Sequence, residues 1–227
     1  MHGMLARAVA GTRRTPVYLE RGPRRTFACA VEWPGWCRVA RGDDAALQML
    51  ADYAPRYARA AARAGLTVPS PRVADLDVVE TITGTQTTDF GAPDAVASCD
   101  REPVDRRDAS RLVALLDASW DELESVVASS PASLRKGPRG GGRDRDGMVD
   151  HVVNAERSYA RKVGVFLTAA EWRDGGVALM RERIREALQR PSDGTPPRER
   201  GWPPRYLVRR MAWHVLDHAW EMEDRRT

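Results

Sequence analysis

Between Pro203 and Glu223 the chain carries Leu207, Met211, His214, His218 and Glu221 at helical spacing, and two of these are histidines four residues apart. Residues i and i+4 share one face of an α-helix, so the two imidazoles stack one turn apart, close enough to hold a single ion. This constrains the fold. Two imidazoles on an inward face each need a polar partner, and an apolar interior supplies few. A metal would serve both at once. The chain has four histidines; His151 also falls in a strongly helical segment, whereas His2 belongs to a short basic start expected to fray. His151, His214 and His218 together predict a facial metal site with coordination positions left open to water or substrate.

The segments before this one read as helices too. Leu112, Leu115, Leu116, Trp120, Leu123 and Val127 form an apolar stripe opened by Asp108 or Ser110 and closed by Ser129-Ser130-Pro131. A basic, glycine-dense loop, Lys136 to Arg143, leads to Asp144 as N-cap of a second helix. That helix is expected to carry Met148, Val152, Ala155, Tyr159, Val163 and Phe166 on one face. Gly175-Gly176 precedes a third, with Val177, Met180, Ile184 and Leu188 facing inward. A proline-rich crossover, residues 190–204, leads to the fourth, where proline at the first turn is well placed. Four amphipathic helices predict an all-α up-down four-helix bundle over residues 105–227.

The first third follows a different period. Val17-Tyr18-Leu19 and Thr26 to Val31 read as strands joined by a turn at Arg21-Gly22-Pro23-Arg24. Trp33-Pro34-Gly35-Trp36 reads as a second tight turn, followed by a short strand at Cys37-Arg38-Val39-Ala40. Helical spacing runs from Asp43 to a stop at Gly65, with a kink at Pro55, and Val73 to Thr83 alternates as a strand. Residues 1–83 are therefore expected to form a small α+β module. Residues 84–104, rich in Thr, Asp, Gly and Pro, read as a linker. The fold class expected is α+β: a small N-terminal module and then the helical bundle.

Charge and cysteine content narrow the function classes. Net charge is +4 on 227 residues, and arginines alternate with acids instead of lining one face, which ranks nucleic-acid binding last. No segment approaches the ~20 apolar residues of a membrane span. Cys29, Cys37 and Cys99 show no metal-type spacing, and an odd, sparse set fits reduced thiols in the cytoplasm, with a Cys29–Cys37 hairpin bridge as the lesser alternative. The N-terminus has an arginine pair but no continuous apolar stretch, which argues against a signal peptide.

A histidine early in the second helix and a His-x-x-x-His on the fourth resemble the DinB-like metalloprotein superfamily, which includes YfiT-type proteins and mycothiol-dependent maleylpyruvate isomerases. The resemblance covers residues 105–224. It includes Gly141-Gly142-Arg143-Asp144, Asp150-His151-Val152-Val153-Asn154-Ala155-Glu156 and the closing run from Trp202-Pro203-Pro204 to Trp220-Glu221. It implies a divalent metal on His151, His214 and His218, with water completing the shell. Isomerase-type relatives carry a carboxylate at one ligand position of the last helix. This chain has histidine at both, so that particular isomerase activity is not implied. More faintly, the strand, Pro-Gly turn and helix of the first third resemble HicB-like antitoxins.

Three neutral nitrogens suit zinc first, with nickel and ferrous iron as alternatives; the resemblance adds a low-molecular-weight thiol of the mycothiol type as a candidate cofactor. Asp217 and Glu221 are the candidates to orient the imidazoles; their other reading is as charge partners for Arg209, Arg210 or Arg225. Glu156 points round the helix from His151 and reads as a surface partner of Arg161 more than as a base. The loop from Gly140 to Arg143 offers amides for an anion nest but reads first as a connector. Trp213 and Trp220 read as walls of the site or core. The expected function is a metal-dependent hydrolase or thiol transferase acting on a small molecule. The alternative is a non-catalytic, metal-stabilised binding or stress-response protein; a homodimer through the helical half is the expected assembly.

Overall fold

The computed structural model describes residues 14–137 and 141–226. The expectations for the N-terminal start, including His2, and for Pro138, Arg139 and Gly140 lie outside those residues. The chain begins with β1 (Thr15–Arg21) and β2 (Thr26–Ala30), an antiparallel hairpin closed where the Gly22 amide donates to the Arg25 carbonyl at 2.8 Å. β3 (Cys37–Ala40) pairs antiparallel with β2, and β4 (Leu76–Thr83) joins β1 in parallel, giving the order β3-β2-β1-β4. Between β3 and β4 run α1 (Asp43–Asp52) and α2 (Ala54–Arg63). The expected kink is a break at Tyr53: Pro55 lies in the first turn of α2, where its missing N–H leaves no helical bond unmade.

Both hairpin turns are formed as the sequence predicts. The second one decides how the sheet docks. Gly35 holds φ +91°, and a Cβ there would stand 2.9 Å from the Cβ of Ala212, so a glycine is required both by the dihedral and by the approach to the last helix. Trp36 and Tyr57 stack beneath the turn with ring centroids 5.5 Å apart, and the Trp36 indole donates to the Leu50 carbonyl at 2.9 Å.

Residues 84–104, read above as a linker, fold against both sides of the molecule. They contain α3 (Gln86–Phe90), capped by Thr85, and a single 3-10 turn at Ser98–Arg101, with Thr88, Ala97 and Asp100 buried. Buried Glu20 of β1 accepts hydrogen bonds from the Thr88 hydroxyl and from the amides of Asp94 and Ala95, at 2.5, 2.9 and 3.2 Å. Val104 closes the stretch by pairing with Ser192 of the crossover.

The helical half is α4 (Arg106–Ala128), α5 (Arg145–Ala160), α6 (Ala169–Asp174), α7 (Gly176–Leu188) and α8 (Pro204–Arg225). The cap of α4 is Asp105, three residues before the position expected, and its carboxylate accepts from the Asp108 amide at 2.7 Å. The α+β class with an up-down four-helix bundle does not describe this arrangement. The molecule is a mixed four-stranded sheet with eight helices among the described residues, and the C-terminal part is not clearly a four-helix bundle. Two differences account for this. First, α5 stops at Ala160, where a 3-10 turn and Gly164 at φ +83° redirect the chain; Phe166, expected on its apolar face, is exposed. α6 then adds a helix in a stretch to which the sequence reading assigned no element.

Second, α8 has no solvent face for most of its length. Every residue from Tyr206 to Leu216 is buried. Val208, Met211, Ala212 and Val215 pack toward α4 and α5, Leu216 and Trp220 enter the cluster beneath the sheet, and Trp213 meets Phe27 of β2 edge-on at 5.8 Å. A bundle helix shows one apolar stripe; a helix apolar all round is central. The one-sided reading of α8 counted the face toward the helices and missed the face toward the sheet. No helix among the described residues is long and apolar enough to cross a membrane.

Candidate metal centre

α5 and α8 pack together with His151 in the second turn of one, and His214 at the middle and His218 one turn further along the other. Their imidazoles converge: ring centroids lie 5.0 Å apart for His151–His214, 4.9 Å for His151–His218 and 4.6 Å for His214–His218. One ligand atom from each falls within 4.8 Å of the other two. His214 is buried, while His151 and His218 are half-buried, so the cluster has a closed side and an open one.

The proton positions follow from the partners. His218 Nδ1 lies 3.0 Å from Glu221 Oε2, which makes Nδ1 the proton-bearing nitrogen and leaves the Nε2 lone pair free. Glu221 is held in turn by Arg225, whose Nη1 donates to Oε1 at 2.8 Å. Arg225 also donates to the carbonyls of Arg135 and Arg143, each at 2.8 Å. The His218 hydrogen bond, followed by Arg225, holds the Glu221 carboxyl below its ordinary range despite partial burial. Both sequence readings of Glu221 are therefore realised at once. Asp217 is placed elsewhere: it accepts from Arg38 of β3 at 2.8 Å and does not orient an imidazole.

Nε2 of His151 and Nε2 of His214 stand 3.2 Å apart. Two imidazole nitrogens ~2.1 Å from a shared ion are about 3.4 Å apart in a tetrahedron and about 3.0 Å apart in an octahedron. The observed contact falls between those values, so the donor set fits a divalent ion. Burial, then the charges of His218 and Arg210, push the His214 imidazole down to about 2, and burial lowers His151 as well. Neutral imidazoles are what a metal requires.

The same depression has a consequence for the metal-free chain. The unfolded state takes up a proton at His214 near pH 6.5 and the folded state only near 2, so the unfolded state binds more protons between those values and stability falls as pH drops below about 6.5. Urea midpoints from about pH 7 to about pH 4 should fall more steeply for the wild type than for His214→Leu. Parallel profiles would rule out a buried neutral His214.

Other residues singled out in the sequence lie off the centre. Glu156 is wholly buried, not on the surface: it accepts from the Trp120 indole at 2.5 Å and from Arg181 at 3.3 Å. Burial raises its carboxyl, with Arg181 opposing, and the group ties α4, α5 and α7 together. Trp220 packs on Tyr53 and Trp213 on Phe27, so both serve the core. Cys29 and Cys37 face each other across β2 and β3 as free, buried thiols.

Two residues of the surroundings were not anticipated. Tyr159 packs edge-on to His214 at 5.9 Å and leans on Trp202 at 5.1 Å, forming one wall. Arg210, one helical turn before His214, lies over the rings of Tyr159 and Trp213 at 5.4 and 4.8 Å. Its position four residues before His214 was the available signal. No family model, curated protein or solved structure matches this chain.

Proposed function

We propose that this protein binds one divalent metal ion, zinc first, on His151, His214 and His218, and uses it on a small-molecule substrate in a hydrolytic or thiol-transfer reaction. The observation that carries the reading is the 3.2 Å approach of two Nε2 atoms from different helices, beside a third imidazole whose free nitrogen is set by Glu221. The histidine motif's likeness to DinB-like metalloproteins supports the same ligand set. A divalent ion held there supplies Lewis acidity and lowers the pKa of a bound water or thiol. The chain's own residues divide the remaining work. Glu221 keeps the proton on His218 Nδ1, Arg225 holds Glu221, and Tyr159 with Trp202 excludes water from one side of His214.

The test is elemental analysis of tag-free protein handled anaerobically, followed by reconstitution with zinc, nickel or ferrous iron. One bound equivalent is the expected result. A chain that neither retains nor takes up metal overturns the proposal. A screen of thiols and hydrolysable small molecules then separates transfer from hydrolysis; bound metal without turnover of any of them would leave a metal-stabilised binding protein.

A further inference from the structure

We infer that Arg210 is the anchor for an anionic group, so that the small molecule taken by the histidine centre carries a carboxylate or a phosphate. The inference rests on reading the histidine cluster as the substrate site.

Arg210 is 7% exposed, and its Nε and Nη1 are buried without a hydrogen-bond acceptor. Among the described residues no acid pairs with it. Its neighbour Arg209, 3% exposed, also leaves Nη1 without an acceptor but has its charge paired: it donates through Nε to Asp100 at 3.0 Å and makes a second bond to the same carboxylate through Nη2. A guanidinium does not escape burial by losing its proton, so an uncompensated one weakens the folded state. The rings of Tyr159 and Trp213 offset part of the charge but accept none of its N–H bonds in plane. A side chain kept at such a disadvantage points to an acceptor supplied from outside.

The surroundings point to the same ligand. Arg210 and His214 share a face of α8, one turn apart, and His214 Nδ1 is itself buried without a partner. Arg210 and His214 thus both leave buried polar atoms without a hydrogen-bond partner on the same side of the helix. A two-oxygen anion matches the planar fork of an arginine, whereas a neutral ligand leaves the charge uncompensated.

The experiment uses the full chain, metal-free and zinc-loaded, with formate, acetate and inorganic phosphate as probes. Arginine Nε–H resonances are followed by NMR, and unfolding by urea. A saturable shift of the Arg210 Nε–H is expected with at least one anion, and the carboxylate and phosphate arms show which class fits. Arg210→Met should weaken that anion's stabilising effect about tenfold or more, yet leave the ligand-free chain as stable as wild type or more so, because a buried charge without an acceptor has been removed. Arg210→Lys keeps the charge without the fork and should bind more weakly than wild type. Absence of a saturable response in the wild type, or an equal response in both variants, overturns the inference. If zinc fails to bind while the anion response at Arg210 persists, the metal reading falls and the anion anchor stands. Zinc binding without an anion response gives the reverse.

Discussion

His214→Ala should lower zinc affinity by more than about 100-fold, since loss of a partner that merely orients a ligand already weakens metal binding 10–100-fold. His151→Ala should do the same from the other helix. Glu221→Gln belongs to the milder class. It takes from His218 Nδ1 the carboxylate that fixes its tautomer and leaves the ligand nitrogen in place, so a loss of about 10–100-fold is expected. Asp217→Asn is the control. Its carboxylate pairs with Arg38 and touches none of the imidazoles, so zinc affinity should stay at the wild-type value. Competition against a chromophoric chelator measures all four on one scale, and circular dichroism of the metal-free chains checks that each is folded. The order His214→Ala and His151→Ala weakest, Glu221→Gln next and Asp217→Asn unchanged is specific to a three-histidine centre oriented through Glu221. Equal affinity in wild type and His214→Ala would end the proposal. Zinc should also raise the melting temperature of the wild type and leave that of His214→Ala where it was, because only a ligand that binds the native state shifts unfolding.

The histidine cluster was legible because helical spacing is local: His214 and His218 lie on one face whatever packs against them. Joining His151 to them needed only that its helix be a neighbour. Asp217 and Glu221 show where such reasoning stops. They lie three residues after His214 and three after His218, equivalent in spacing, yet Asp217 is taken by Arg38, far away in sequence on β3. Nothing within a turn of α8 predicts that partner. The fold divides the same way. The hairpin, the Pro-Gly turn and the helix boundaries at Asp43 and Gly65 are written in turn chemistry and period. The docking of the sheet on α8 is not, because it depends on which of two apolar faces of one helix meets which neighbour. Trp213 and Trp220, read as walls of the site or the core, line the core and make the second face.

The stretch between the sheet and the helices is where the sequence was most misleading, and Asp100 tests the correction. Its composition reads as a linker, but Asp100 is 2% exposed, accepts the Ala97 amide at 2.9 Å and forms a buried ion pair with Arg209 of α8. Arg209 also donates to the Ala95 carbonyl at 3.3 Å and lies over Tyr18 of β1, so one guanidinium joins sheet, strap and central helix. Removing one partner of a buried pair leaves the other as an uncompensated charge, and about 3–5 kcal/mol of stability should be lost in Asp100→Ala. For a chain of this size that is a fall in melting temperature of roughly 6–20 °C. A flexible linker would lose almost nothing, so the two descriptions differ by far more than the error of a thermal melt. Arg209→Met in the Asp100→Ala background removes the stranded charge and should recover part of the loss, although the Ala97 amide remains without its acceptor. A double variant no more stable than Asp100→Ala would show that the strap is held by the capping bond alone. Recovery would show that the ion pair fixes where the strap lies, with burial of Val104, Ala97 and Thr88 supplying most of the favourable free energy.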